Sequence, residues 1–344
     1  MRRLRDRDFL RTRESFLFCV VGYAHPRGRV ISYLKYVPSD DGRWGKKNER
    51  YTRTMPNYTI PSLLNNIKML RKNYPEYVFH SRVYNIQMSA VPCNHIVERY
   101  YPEVKLHALF NSKKLDPLQE TTIELVSLLA CEANIPKEDF GITGSLLTDI
   151  HDPLFSDIDL TICGKTNAWK VKEILEKSVD ETFLRKPSEK NRILERWQKN
   201  YPLSAGEAEK IYDRRWNYGC FNNRSFSIHA LRKDLETVEK YGEKHFYPQG
   251  IIEGEAEITS VDDSLFLPCT YTIRGLEVNL RNGPTAVNEV VSYDGFYSGL
   301  FKRDEHVAVR GKLELVRDKG GDEYLRILIG SPEARGTDYI KPVT

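Results

Sequence analysis

Closely spaced cysteine pairs are absent from this sequence. Six cysteines occur among its 344 residues, and no two of them form a C-x-x-C pair. Zinc sites commonly need such pairs, and the disulfide frameworks of small secreted proteins need a denser set of cysteines. We therefore interpret the cysteines as small buried side chains in a reducing compartment. They are Cys19, Cys93, Cys131, Cys163, Cys220 and Cys269.

Long hydrophobic runs are absent as well. No stretch reaches the roughly 18 consecutive apolar residues that indicate a membrane-spanning helix. The apolar stretch FLFCVVGYA at residues 16–24 follows a segment with three acidic residues. Its β-branched and aromatic content is more typical of a strand than of a signal peptide. These absences predict a cytoplasmic protein that does not cross a membrane.

A large excess of one charge sign is also absent from the chain as a whole, because its net charge is only +4. The distribution is nevertheless uneven, because residues 1–55 hold 14 Lys+Arg against 6 Asp+Glu, a balance of +8. The first 13 residues alone contain six arginines. This segment is either a solvated terminus or an arm that contacts phosphate groups.

The chain is too long for one ordinary core, so two or three domains are expected. Residues 1–115 contain two strand patterns and a helix pattern, which predict an α/β module. A helix start at Asp116-Pro117 opens a second α/β segment, residues 116–245. Five short strand patterns in residues 246–344 predict a small β-barrel that looks like an oligonucleotide/oligosaccharide-binding (OB) barrel. The expected fold class is therefore α+β.

Two aspartates stand inside an otherwise apolar strand pattern, SDIDLTIC. Because side chains alternate along a strand, Asp157 and Asp159 share one face. Two like charges on one face of a half-buried strand are unfavourable unless a cation lies between them. Earlier in the chain, and separated from Asp157 by eleven residues, Gly144-Ser145 forms a turn whose N–H groups and hydroxyl suit phosphate groups. The pattern favours a site for divalent metal and phosphate, since hard cations prefer carboxylate oxygens.

Gly144-Ser145, the gap and Asp157-Ile158-Asp159 resemble the signature of the DNA polymerase beta-like nucleotidyltransferase superfamily. The resemblance covers residues 116–235, with the preceding helix and strand in the expected places. The order of the whole chain also looks like an archaeal group of proteins with this domain in the middle.

The resemblance implies transfer of a nucleoside monophosphate from an NTP, such as ATP, to an acceptor with Mg²⁺ or Mn²⁺. By position, Gly144 and Ser145 would bind the triphosphate, and Asp157 and Asp159 would bind metal and be catalytic. Basic and aromatic residues together with the expected barrel favour RNA as the acceptor. Arg214 and Arg215 are further candidates for nucleotide binding, although basic residues at a helix end have a structural explanation too.

One feature departs from the superfamily pattern. Its members usually supply a third carboxylate from a later strand, whereas the strand RSFSIHAL offers only Ser225, Ser227 and His229 on its polar face. His229 could then act as a general base. Glu253, Glu255 and Glu257 are acidic alternatives, which we assign to the last domain.

Two other functions stay open at this point. One is a nucleic-acid-binding protein whose nucleotidyltransferase domain is no longer catalytic. The other is an enzyme that nucleotidylates a protein or a small molecule.

Overall fold

The structure is a computed structural model that describes residues 2–46, 49–55, 59–177, 184–185, 189–237, 239–280 and 283–343. It is mixed α/β. The helices are α1 Ile60–Asn73, α2 Pro102–Phe110, α3 Pro117–Glu132, α4 Gly144–Leu147, α5 Lys165–Lys177, α6 Lys190–Asn200 and α7 Ala205–Arg214. The strands up to residue 100 are β1 Phe9–Thr12, β2 Leu17–Val20, β3 Arg29–Pro38, β4 Trp44–Lys46, β5 Glu49–Arg53, β6 Val78–Ser81, β7 Ile86–Pro92 and β8 Ile96–Tyr100.

The later strands belong to two further sheets. They are β9 Phe140–Ile142, β10 Ile158–Cys163, β11 Leu184–Arg185, β12 Tyr218–Phe221, β13 Arg224–Leu231, β14 Lys244–Asp263, β15 Cys269–Arg274, β16 Glu277–Leu280, β17 Gly283–Ser292, β18 His306–Asp318, β19 Glu323–Ile329 and β20 Tyr339–Pro342. No helix among the described residues is both long and apolar enough to span a membrane.

The chain forms two compact units that are discontinuous in sequence. The first combines residues 1–54, 89–188 and 216–238, and the second combines residues 55–88, 189–215 and 239–344. The three consecutive domains expected from the sequence therefore differ from these two units. Each unit combines segments from different parts of the chain.

The N-terminal segment is part of the first unit's antiparallel sheet. In that sheet β1 lies between β2 and β8, with Phe9 paired to Cys19 on one side and to Tyr100 on the other. Before the strand, Arg2 donates to the buried carboxylate of Asp8 at 2.6 Å. The arginine-rich segment is therefore neither a solvated terminus nor a free arm. Phe9 and Leu10 are buried in the sheet, and several arginines of the segment pair with acidic residues.

The second sheet of the first unit has the order β11-β12-β13-β10-β9. Strand β10 runs parallel to β13 and antiparallel to β9, so it lies between them. Helix α3 begins where the sequence predicts, because Asp116 accepts hydrogen bonds from Leu118 N and Gln119 N at 2.9 and 3.0 Å. Buried side chains of α3 and β10 form part of the core. This sheet determines the position of Asp157 and Asp159.

The second unit contains the C-terminal strands. Strand β14 pairs with β15, β15 with β17, β17 with β19, β19 with β18, and β18 again with β14. These pairings close a ring of five strands, in which only the β17–β19 pair is parallel. Its core includes Ile258, Tyr271, Val290, Leu313 and Ile327, each at most 2% exposed.

Candidate active site

The two aspartates lie where loop 151–157 enters β10. Ile158 and Leu160 are fully buried, whereas Asp159 is half-buried and Asp157 is exposed. This alternation follows from the pleat of the strand. It presents the two carboxylates on the side of the sheet that does not carry the isoleucine and leucine.

Gly144 lies directly against one of these carboxylates. Its φ angle is +69°, and a Cβ atom at this residue would be 2.3 Å from Oδ2 of Asp159. The preceding residue, Thr143, donates its amide hydrogen to the carbonyl of Asp159 at 2.8 Å. The carbonyl of Ser145, a buried residue, accepts from Ile150 N at 3.1 Å and closes the loop behind it. The Gly-Ser turn and the Asp-x-Asp strand are thus neighbours in space.

The carboxylates influence each other electrostatically. Partial burial and the charge of Asp159 raise the pKa of Asp157 to about 6, while Arg53 and Arg224 act to lower it. The guanidinium of Arg224 is anchored on the carbonyl of Leu154 at 2.8 Å. Two arginines therefore offset part of the negative charge.

Strand β13 forms another wall of the site. Its register places Ser227 opposite Asp159 and His229 opposite Thr161. Ser227 Oγ donates to Oδ1 of Asp159 at 2.6 Å, and Nε2 of His229 lies 3.2 Å from Ser227 Oγ. A serine, and not a carboxylate, therefore stands beside Asp159 on this strand.

The glutamates considered as alternatives lie on β14 in the second unit. Glu253 accepts from Arg310 at 2.9 Å and from Tyr339 at 2.7 Å. Glu257 pairs with Arg274. These two carboxylates already have cationic or hydroxyl partners within the second unit.

Arg214 and Arg215 do not join the site in the first unit. Helix α7 belongs to the second unit, where Arg214 pairs with Glu305. Arg215 donates to the carbonyl of Gly295 at 3.3 Å, and its guanidinium lies 5.4 Å from the ring centre of Phe296. Both side chains therefore have partners within the second unit, and their role in nucleotide binding stays a prediction.

Sequence reasoning missed two arginines that accompany the carboxylates. The carbonyl of Arg7 accepts from Thr143 Oγ1 at 2.9 Å, next to the Gly-Ser turn. Burial acts to lower the pKa of Arg7, but Asp6, Tyr33 and, more weakly, Asp159 raise it overall. Arg53 lies over the Trp44 ring at 4.7 Å and acts on Asp157. In the sequence, only the mixture of basic and aromatic residues in the N-terminal third pointed toward these two arginines.

The residues of the site fit a hard divalent cation. The donor atoms are carboxylate oxygens, which Mg²⁺ and Mn²⁺ prefer. Because Gly144 has no Cβ atom, Oδ2 of Asp159 can lie directly against the Gly-Ser turn. Burial and the charge of Asp159 raise the pKa of Asp157, and a cation bound by the two carboxylates would act to lower it.

Comparison with known proteins finds an archaeal relative. The chain is 28% identical over 348 residues to the Uncharacterized protein MJ1086 of Methanocaldococcus jannaschii, with 98% of this chain and 99% of the relative covered. No family model matches the chain, and no solved structure matches it. The likeness in sequence extends over the residues of both compact units.

Proposed function

We propose that this protein is a metal-dependent nucleotidyltransferase of the DNA polymerase beta-like type. The observation that carries the proposal is the placement of Asp157 at the entry to β10 and of Asp159 within it, with Gly144 against Asp159. This arrangement joins a carboxylate pair to a turn that suits phosphate groups.

In the proposed reaction, an acceptor hydroxyl oxygen forms a bond to the α-phosphorus of an NTP. The bond between that phosphorus and the bridging oxygen to the β-phosphate breaks, and pyrophosphate leaves. Mg²⁺ or Mn²⁺, held by Asp157 and Asp159, would supply charge neutralisation for the triphosphate. Gly144 and Ser145 bind the triphosphate, and Arg7 and Arg53 add positive charge near it.

The hydroxyl proton needs an acceptor group. His229 is a candidate for this role because a neutral imidazole accepts a proton near neutral pH. Its Nε2 atom is linked through Ser227 to Asp159. RNA is the proposed source of the hydroxyl, and the preferred NTP stays open.

We assign the C-terminal ring of strands to the OB type as part of the same proposal. The order β14-β15-β17-β19-β18, closed by β14 with β18, and the parallel β17–β19 pair support it. Barrels of this type commonly bind oligonucleotides or oligosaccharides.

The test is transfer of label from each α-labelled NTP to RNA in the presence of Mg²⁺ or Mn²⁺. Asp157→Asn and Asp159→Asn should each abolish transfer and metal-dependent NTP binding. Asp149→Asn is the matched control, since Asp149 lies in the same loop but pairs with Lys105. Equal activity of the wild type and both site variants would exclude the assignment.

One observation favours a second function, RNA binding without catalysis. Ser227 stands where a third carboxylate is expected, and a hydroxyl is a weaker magnesium ligand than a carboxylate. RNA binding with no transfer from any NTP would support that function. Label that appears on a protein or a small molecule would instead identify a different acceptor.

A further inference from the structure

Positive charge is concentrated in one part of this chain. Residues 1–115 hold 22 Lys+Arg against 9 Asp+Glu, whereas residues 246–344 hold 11 against 16. Nucleic acids bind to surfaces with an excess of positive charge, because each contacted phosphate releases counterions. The barrel is therefore the less suitable part of the chain for a phosphate backbone, and the surface must be sought in the first 115 residues.

The described residues of the β4–β5 hairpin, 43–46 and 49–53, are docked on the loop that leads to Asp157. Gly45 N donates to the carbonyl of Ile150 at 2.7 Å. The ring of Trp44 meets the ring of Phe155 edge-on at 5.9 Å, and the Arg43 guanidinium lies 3.9 Å from the centre of the same ring. Because Phe155 precedes Asp157 by two residues, the hairpin is held next to the carboxylate site.

The outer part of this hairpin carries unbalanced positive charge. Arg43, Lys46 and Arg50 are exposed. The acidic residue among those described in the hairpin, Glu49, accepts from Arg11 and from Tyr51 Oη, both at 2.6 Å. Since Arg11 neutralises Glu49, the three exposed cations have no acidic counterpart within the described part of the hairpin.

We propose that the β4–β5 hairpin binds the phosphate backbone of a single-stranded RNA acceptor and leads its end to Asp157 and Asp159. The proposal rests on the nucleotidyltransferase function above and specifies its acceptor. Lys46 and Arg50 contact phosphate oxygens, and Arg43 extends the contact toward the site. The half-buried rings of Trp44 and Phe155 beside these cations favour a single strand, because such proteins combine cations with aromatic side chains.

The experiment compares two charge reversals of equal size. One variant carries Lys46→Glu and Arg50→Glu. The control carries Lys302→Glu and Arg303→Glu, two exposed residues of the acidic C-terminal stretch 246–344. Affinity for a short fluorescent single-stranded RNA is measured by anisotropy at several salt concentrations, without NTP. Thermal unfolding of each variant is recorded in parallel.

The hairpin variant should bind RNA at least about tenfold more weakly, with a salt slope lower by about 1.4, from roughly 0.7 per lost phosphate contact. The control should retain the affinity and the slope of the wild type. An equal loss in both variants, or no loss in the hairpin variant, overturns the proposal. So does a wild type that fails to bind RNA at low salt, as expected if the acceptor is a protein.

The result is separable from that of the proposed function. The double variant with Asp157→Asn and Asp159→Asn should keep the RNA affinity of the wild type and lose transfer. If the hairpin variant loses RNA while the wild type transfers nothing, the hairpin proposal stands and the catalytic one fails. If transfer to RNA persists with unchanged RNA affinity in the hairpin variant, the hairpin proposal fails and the catalytic one stands.

Discussion

At the residue scale, Gly144 is the residue of the site that we expect to be most sensitive to substitution. Its φ of +69° lies in the left-handed region, which costs a residue with a side chain about 1–2 kcal/mol. In addition, a Cβ atom would lie 2.3 Å from Oδ2 of Asp159 and force that carboxylate to move. Gly144→Ala should therefore lower the free energy of unfolding by at least this amount and weaken Mn²⁺ binding. Chemical denaturation and Mn²⁺ titration measure the two effects.

Gly206→Ala is the control for this variant. Gly206 lies in helix α7, and no atom would come within 4 Å of an added Cβ. Alanine there should leave stability unchanged or slightly increased, because it favours the helix. Unchanged Mn²⁺ affinity in Gly144→Ala would show that the turn does not support the metal site.

The raised pKa of Asp157 predicts a pH dependence. Partial burial and the charge of Asp159 bring this pKa to about 6, from an ordinary value of 3.8. Below pH 6 a proton competes with the cation, so Mn²⁺ affinity should fall steeply between pH 7 and pH 5. In Asp157→Asn the remaining affinity should change much less over this range. Calorimetric titration at several pH values measures it, and equal profiles for both proteins would contradict the prediction.

In the metal-free protein, the raised pKa of Asp157 gives the free energy of unfolding a pH dependence opposite to that of Mn²⁺ affinity. Between pH 3.8 and about 6 the folded chain binds a proton at Asp157 that the unfolded chain has released. The contribution of Asp157 to stability is therefore largest below this window and falls as the pH rises through it. Asp157→Asn should remove this slope in metal-free thermal unfolding.

At the scale of elements, the parallel β10–β13 pair determines which side chain accompanies Asp159. The register brings Ser227 to this place, and its hydroxyl donates to Asp159 at 2.6 Å. Ser227→Asp should destabilise the metal-free protein through like charges and add a second Mn²⁺ per chain. Ser227→Ala, which loses only the hydrogen bond, should cost about 1–2 kcal/mol and add no ion. If both variants bind the same number of ions, β13 is not a wall of the metal site.

His229 on the same strand provides a kinetic test. If it accepts the proton of the acceptor hydroxyl, His229→Ala should slow transfer by about 10²–10⁴. NTP affinity should not change, because the imidazole lies beside Ser227 and is not assigned to the triphosphate. His229→Gln, which keeps a polar side chain but titrates no proton, should be equally slow. Full activity of His229→Gln would show that the residue only maintains the hydrogen-bond network.

At the scale of the whole molecule, the N-terminal segment is expected to be essential for the first unit. Deleting residues 1–13 removes β1 from between β2 and β8 and leaves Glu103 without Arg2. We expect the deleted chain to lose a cooperative unfolding transition, observed by calorimetry. Arg3→Ala in the full chain is the control, because Arg3 is exposed and should leave stability within about 0.5 kcal/mol. A deleted chain that unfolds like the wild type would contradict the role of β1.

Several features of this protein were determined by the sequence alone, because they depend on neighbours in the chain. Asp116-Pro117 begins α3, and Ser204 with Glu207 begins α7, since a cap satisfies backbone groups only two or three residues away. The alternation around Asp157 and Asp159 likewise follows from local strand geometry. The mixed α/β class and the run of C-terminal strands could be predicted for the same reason.

Other features were decided only by the tertiary structure. The arginine-rich segment was open to two interpretations, a solvated terminus or an arm, because the sequence does not show that Arg2 pairs with Glu103, some hundred residues away. Arg214 stands close to β13 in sequence, yet its helix belongs to the second unit, where Glu305 binds it. The pairing of Ser227 with Asp159 depends on the register of two strands separated by more than sixty residues. These arrangements depend on burial and charge pairing between distant segments. A local sequence pattern does not contain that information.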